Sequence, residues 1–321
     1  MDMHMNAITK IRLETNEMKE IELSGCNIIG KGQCSQVYLI ANGNVVKLFE
    51  SSISKEQIQK EYDINCMAYK KGLASVQCFG FVTCNGRVGI EMERVKGVSL
   101  EQAILDSDMP LDGFAVDFAQ NLLQMHSNSG DLSLMPSAEE FYLGCVHKCM
   151  NDKWITESEG LKLAQLIRQI PRRDTMLHGD YHVLNMMIEN GRMKMIDLAD
   201  CMSGNAIYDL LVANIYLHYL PLNLEPLYQT LIKVPAKDSL YMWDIFLETY
   251  FETKDAERIS CIKKMLDGYS MLKIMLSPYS FSNLPRESLA GFVEMGRKEL
   301  MPKIDEYIGI IPDNIKELCR F

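Results

Sequence analysis

Long apolar runs are missing from this chain. Its most apolar stretches, such as Ala206–Val212, itself interrupted by Asp209, fall far short of the ~20 residues that cross a bilayer, so no membrane span is expected. The first residues, Met1-Asp2-Met3-His4-Met5-Asn6, do not pair a basic stretch with an apolar one, and no secretory signal is expected. Basic excess is also missing: 33 Lys and Arg stand against 43 Asp and Glu, a net charge of −10. Phosphate neutralisation needs basic surface, so the chain is a poor candidate for broad nucleic-acid binding, while a cationic substrate is favoured only weakly. Internal repeats and low-complexity segments are absent. The ten cysteines sit at irregular spacings in a chain large enough to need no covalent staples; they read as reduced thiols of a cytoplasmic protein. What remains is ordinary globular composition, 47% hydrophobic and 24% charged over 321 residues, enough for about two domains at roughly 100–200 residues each. The 22 methionines read as flexible core filler.

The first ninety-odd residues carry strand signals. Ile8–Leu13 and Ile21–Leu23 alternate, and Val37–Ile40 and Val45–Phe49 flank Asn42-Gly43-Asn44. Lys55–Lys71 has helical spacing, closed by Gly72. Phe79–Thr83 and Val88–Glu93 then form a second hairpin around Asn85-Gly86. From about Ser99 the pattern becomes helical, at Leu100–Leu105, Phe114–Met125, Ala138–Met150 and Gly160–Ile170. Thr175–Leu177 and a hairpin, Met186–Glu189 and Met193–Ile196 around Asn190-Gly191, interrupt it before a mostly helical remainder. Strands and helices in separate blocks predict an α+β chain: a small β-rich lobe with one helix over residues 1–95, and a larger, mainly helical lobe over 96–321.

Gly30-Lys31-Gly32-Gln33-Cys34-Ser35-Gln36-Val37 follows a strand and precedes another. A dinucleotide-binding turn would need a third glycine and a helix directly after it. A P-loop would need Ser or Thr where Gly32 stands. Strand–turn–strand fits instead a glycine-rich hairpin over nucleotide phosphates, where small residues let backbone N–H groups approach an anion; a plain hairpin turn is the bland alternative. Lys47 lies in an otherwise apolar strand, and a buried cation there needs a carboxylate or an anion. Glu61, on the following helix, is the candidate partner, with Glu56 its rival.

The most specific stretch is His178-Gly179-Asp180-Tyr181-His182-Val183-Leu184-Asn185, followed by Met195-Ile196-Asp197-Leu198-Ala199-Asp200. Phosphoryl transfer needs a carboxylate to orient or deprotonate the attacking hydroxyl, and hard oxygen ligands for Mg²⁺. Asp180 fits the first need; Asn185 and Asp197 fit the second.

These residues, with Gly30-x-Gly32-x-x-Ser35-x-Val37, Lys47, Glu61, Met92-Glu93-Arg94-Val95-Lys96-Gly97 and Gly204-Asn205-Ala206-Ile207-Tyr208-Asp209-Leu210, resemble the aminoglycoside phosphotransferase and choline kinase superfamily. This is the small-molecule branch of the bilobal protein-kinase-like fold. The resemblance spans roughly Gly30 to Leu210. It implies a kinase using ATP and Mg²⁺ on a small-molecule hydroxyl, with Asp180 catalytic and Asn185 and Asp197 on the metal. Gly30, Gly32, Ser35, Val37, Lys47 and Glu61 would serve the nucleotide phosphates. The backbone of Glu93 and Val95 would hold adenine, with Met92 packed behind. Asp209 would brace the catalytic loop and cap its own helix, and His182 would hold loop shape. Asp200 is open between assisting the site and a solvated loop acid. Ser35 in place of a third glycine and Val183-Leu184 in place of Pro-Gly depart from the family pattern without removing a ligand. A nucleotide-binding pseudokinase is the alternative. A protein kinase is disfavoured, because no activation loop closes on Ala-Pro-Glu.

Other constellations read as structural. Cys145-Val146-His147-Lys148-Cys149 lacks the four ligands of structural zinc, His126 suits packing or capping, and Trp154 and Trp243 suit core or helix packing or, alternatively, the lining of a substrate pocket. Asp244, Glu248, Glu252, Asp255 and Glu257 suit a solvated helix face or, alternatively, an acidic wall for a cationic substrate.

Overall fold

The computed structural model describes residues 18–32, 34–106, 110–129, 132–281 and 284–308. The strand expected at Ile8–Leu13 lies outside these residues, as does Gln33 of the glycine-rich turn. The chain divides into two compact units, Met1–Lys96 and Gly97–Phe321.

The first unit is built on a six-stranded sheet: β1 (Lys19–Glu20), β2 (Ile28–Lys31), β3 (Ser35–Leu39), β4 (Val45–Phe49), β5 (Cys78–Cys84) and β6 (Arg87–Met92), in the order β1-β5-β6-β4-β3-β2. All neighbours are antiparallel except β1 on β5. The β5–β6 turn places Asn85 and Gly86 at φ 50° and 75°, the left-handed pair a two-residue hairpin requires. Ile21–Leu23, expected as a strand, is irregular. Ile21 donates its N–H to the Thr83 carbonyl (2.9 Å), and the chain then turns, with Cys26 N–H on the Leu23 carbonyl (3.1 Å). Leu23 still joins Val46, Leu48, Val82 and Cys84 in the core. Helix α1 (Lys55–Lys70) opens on a reciprocal cap: Gln57 N–H donates to Ser54 Oγ, and Ser54 N–H to Gln57 Oε1. It buries Ile58, Tyr62, Ile64 and Ala68, with the Tyr62 ring 4.5 Å from that of Phe81.

The second unit is mainly helical. Its helices are α2 (Leu100–Asp106), α3 (Leu111–His126), α4 (Ala138–Asn151), α5 (Glu157–Arg168), α6 (Ile207–Asn214), α7 (Leu220–Asn223), α8 (Glu225–Leu231), α9 (Ala236–Tyr250), α10 (Ala256–Met275), α11 (Ser277–Ser280) and α12 (Arg286–Glu299). Between α6 and α7 the turn widens into a π segment, Ile215–Tyr219. Two small sheets carry the loops: β7 (Val98–Ser99), β9 (Met186–Glu189) and β10 (Arg192–Met195) in the order β10-β9-β7, and β8 (Thr175–Leu177) with β11 (Met202–Gly204). Gly97 lets the chain close on β9, because a Cβ there would stand 1.9 Å from the Ile188 carbonyl oxygen. Trp243 is fully buried and stacks on Phe246 (5.1 Å), and Phe118 of α3 meets Phe246 of α9 at 5.6 Å.

Several of the structural readings find concrete roles. Cys145 and Cys149 are buried thiols, pushed up by burial to about 11 and about 12. Asp255 caps α10, accepting from the N–H groups of Glu257 (2.9 Å) and Arg258 (3.2 Å), and Asp244 pairs with Lys263. Among the described residues no helix is long and apolar enough to cross a membrane.

Candidate active site

In the first unit, Lys47 occupies the centre of β4 between Val46 and Leu48. Its ammonium meets Glu61 Oε1 of α1 at 2.7 Å, with the two side chains 13% and 7% exposed. Glu56, the rival partner, lies in the first turn of α1, fully exposed. Burying either charge alone is expensive, so each needs the other. Of the glycine-rich turn, Gly30 pairs with Val37 across β2 and β3, and Gly32 N–H donates to the Ser35 carbonyl (2.9 Å). Ser35 is buried. Met92 ends β6, buried against Val45 and Cys78. Glu93 N–H is already donated to the Gln77 carbonyl (2.8 Å), while the Glu93 carboxylate accepts from Gln77 N–H (3.2 Å). What Glu93 can offer a nucleobase through its backbone is therefore its carbonyl.

In the second unit the sequence from β8 to β11 builds one continuous loop system. Gly179 takes φ +82°, and a Cβ there would lie 2.0 Å from the Asp200 carbonyl oxygen; only glycine lets the two loop segments approach so closely. Asp209 of α6, wholly buried, accepts from His178 N–H through Oδ2 (2.8 Å) and from Gly179 N–H through Oδ1 (2.7 Å). His126 Nε2–H donates to Asp209 Oδ2 (3.0 Å), which leaves Nδ1 to accept from the Tyr250 hydroxyl (2.6 Å). The brace expected of Asp209 is thus present, but the expected cap is not. α6 begins on Ala206 without a side-chain cap, because both carboxylate oxygens are engaged with the loop.

Asp180 stands at the exposed edge of this frame, its side chain 38% accessible. His182 Nε2–H donates to Asp180 Oδ2 (3.1 Å), and Asn185 Nδ2 donates to both the Asp180 carbonyl (2.9 Å) and Oδ2 (3.1 Å). Burial favours the protonated Asp180 carboxyl, but the His182 hydrogen bond and the field of His182 and Lys273 outweigh it and hold the group below the usual carboxylate range. With its nitrogen turned to Asp180, Asn185 keeps its amide oxygen for another partner. Ile196 N–H donates to the Asn185 carbonyl (3.0 Å), which draws the following residue, Asp197, alongside. Asp197 is exposed and takes the left-handed φ of +59°, uncommon for a residue with a side chain. Asp200 is also exposed at the site. Surrounding protein pushes its carboxyl upward, and the charges of Asp180 and Asp197 add to that. Asn185 and Asp197 supply the neutral and anionic hard oxygens that suit Mg²⁺.

Sequence reasoning missed two neighbours. Tyr216, presented by the π segment, lies ring to ring with His182 (4.5 Å) and has its hydroxyl pushed up by burial and by Asp180. π segments often mark functional sites, though no sequence signal announces this one. Lys273 of α10 is buried, 6% exposed. Its signal was readable: a lone cation within Met271-Leu272-Lys273-Ile274-Met275, the same anomaly that singled out Lys47.

The sequence matches the profile of the APH family, the "Phosphotransferase enzyme family", over residues 25–225. Comparison with curated proteins gives no significant match. Among solved structures, the streptomycin-ATP-APH(2")-IIa ternary complex is similar at 18% identity, covering 91% of this chain and 94% of that one with a TM-score of 0.57. A choline/ethanolamine kinase family protein from Mesorhizobium loti is similar at 12% identity, 89% and 92% coverage and a TM-score of 0.57. A choline kinase from Cryptosporidium parvum Iowa II is similar at 14% identity, 91% and 92% coverage and a TM-score of 0.53. At these identities the likeness establishes the shared α+β, kinase-like fold.

Proposed function

Because the chain belongs to the APH phosphotransferase enzyme family and is a small-molecule kinase, we propose that it moves the γ-phosphate of ATP, with Mg²⁺, to a hydroxyl of a small molecule. The observation that carries this reading is the Asp180 loop: a carboxylate held below the ordinary carboxylate range, hydrogen-bonded by His182 and Asn185, at the exposed edge of a rigidly braced turn. Asp180 orients the acceptor hydroxyl and takes its proton as the new O–P bond forms. The bond from the γ-phosphorus to the β–γ bridging oxygen breaks, and ADP leaves with that electron pair. Because the transition state needs little covalent help, positioning and charge neutralisation do most of the work. Asn185 through its amide oxygen and Asp197 through its carboxylate would hold Mg²⁺, which when bound neutralises charge on the phosphates.

In the first unit, Lys47, fixed by Glu61, contacts the phosphates. Gly30, Gly32, Ser35 and Val37 lie against them as small or apolar cover, the Gly32 N–H being already donated to the Ser35 carbonyl. The Glu93 carbonyl and the Val95 backbone take adenine, and Met92 packs behind it.

The test is transfer of labelled γ-phosphate from ATP to amino-alcohols, sugars, hydroxy acids and aminoglycosides, comparing the wild type with Asp180→Asn. The variant keeps the size of the side chain and loses its basicity. Its kcat on whichever acceptor is used is expected to fall ~10²–10⁴-fold, the usual contribution of a positioned base. Equal rates in the two proteins would refute the role of Asp180.

A further inference from the structure

Lys273 belongs to α10, and its ammonium enters no hydrogen bond or ion pair among the described residues. Its neighbours are aromatic: the Phe281 ring centroid at 5.2 Å and the Tyr142 ring centroid at 5.8 Å. Burial disfavours its charge, while Asp180 and Asp200 support it from beyond contact distance. An ammonium held this way has no carboxylate paired directly with it among the described residues.

Two donors around Asp180 are buried without a partner. The Tyr142 hydroxyl is buried without a partner and lies within the field of Asp180 and Asp209. His178 Nδ1 accepts the Asp180 N–H (3.3 Å), so the proton of this imidazole sits on Nε2, which is also buried without a partner. Lys273, Tyr142 and His178 each couple electrostatically to Asp180. A lysine with no paired carboxylate and two buried donors without acceptors form a setting that an anionic group would complete. A cationic acceptor group placed against Lys273 would meet a like charge, with the supporting carboxylates of Asp180 and Asp200 not in direct contact with the ammonium.

We propose that the acceptor is an alcohol carrying an anionic group, a carboxylate or a phosphate, and that Lys273 grips this group, assisted by Tyr142, while the hydroxyl meets Asp180. This rests on the phosphotransferase reading above and adds the chemical class of its substrate. Lys273 is then the residue that determines specificity, and the acidic net charge of the chain gives no guide to the acceptor.

The test uses the full chain with three sets of acceptors: small hydroxy-carboxylates such as glycerate and gluconate, sugar monophosphates, and cationic alcohols such as choline and kanamycin. ADP release is followed for the wild type, Lys273→Met and Tyr142→Phe. The expected result is turnover of an anionic set, and which of the two responds identifies the group. Lys273→Met should lower kcat/KM for that acceptor about 10²-fold, mainly through KM, as loss of one partner of a buried charge contact does. Tyr142→Phe keeps the ring and removes the hydroxyl; it should raise KM several-fold, and it serves if Lys273→Met does not fold.

Turnover of cationic acceptors alone, or an anionic acceptor indifferent to both substitutions, overturns the proposal. Calorimetric titration of the anionic acceptors into Asp180→Asn separates the two readings. Binding that depends on Lys273, with no transfer by the wild type, supports the anion site and refutes the phosphotransferase reading. Absence of any anion binding overturns the proposal itself.

Discussion

Lys47 in the first unit is half-buried and Lys273 in the second is buried, and they solve the same problem differently. Lys47 sits in a strand beside a glutamate 2.7 Å away. Lys273 sits in a helix between aromatic rings, its carboxylates near but out of contact. A charge removed from water must be compensated, and direct pairing does so at once. The first lysine is therefore part of how its unit holds together, whereas the second carries an unmet demand into the folded state. An unmet demand in a buried place is where a ligand has most to gain.

Substitutions can break this contrast, and the largest effect is expected at the paired lysine. Lys47→Met removes the ammonium 2.7 Å from the buried Glu61 carboxylate, and chemical denaturation should show a loss of about 3–5 kcal/mol. Lys47→Met combined with Glu61→Leu should recover most of that loss. Failure of the double variant to recover would mean that the pair is not the unit of stability. A smaller effect is expected at Gly179→Ala, which touches neither lysine. It sets a Cβ against the Asp200 carbonyl at a positive φ. The strain should lower stability by about 1–3 kcal/mol and reduce kcat more than it reduces nucleotide affinity. Lys273→Met should have the smallest effect on stability. It strands no carboxylate in direct contact, so the denaturation midpoint should stay level or rise. A drop as large as that of Lys47→Met would put the two lysines in one class and remove the contrast.

Much of the fold was legible because its signals are local. Alternation with Asn-Gly punctuation located β4, β5, β6, β9 and β10 to within about a residue at each end, a short apolar run located β8, and helical spacing closed by Gly72 located α1. The two-residue β7 and three-residue β11 were not legible, because each exists only as a partner to β9 or β8. The π segment at Ile215–Tyr219 was also invisible, since its pattern of side chains does not differ from that of a helix. In the site, Asp180, Asn185 and Asp197 lie close along the chain, and their spacing was informative. His126 and Tyr250 reach Asp209 from distant helices, and no spacing rule connects them. Lys273 carried a readable anomaly, an isolated charge in an apolar stretch, but nothing in the sequence said which loop it would approach.

The clamp on His178 and Gly179 has a further consequence. One carboxylate joins the turn to α6, and through an imidazole and a phenol to α3 and α9 as well. A turn fastened on so many sides has little room to drift as generations of sequences diverge. Change in what such an enzyme consumes would therefore come from α4, α10 and the residues after α10, where Tyr142, Lys273 and Phe281 reside. Relatives with the same loop can live on quite different diets.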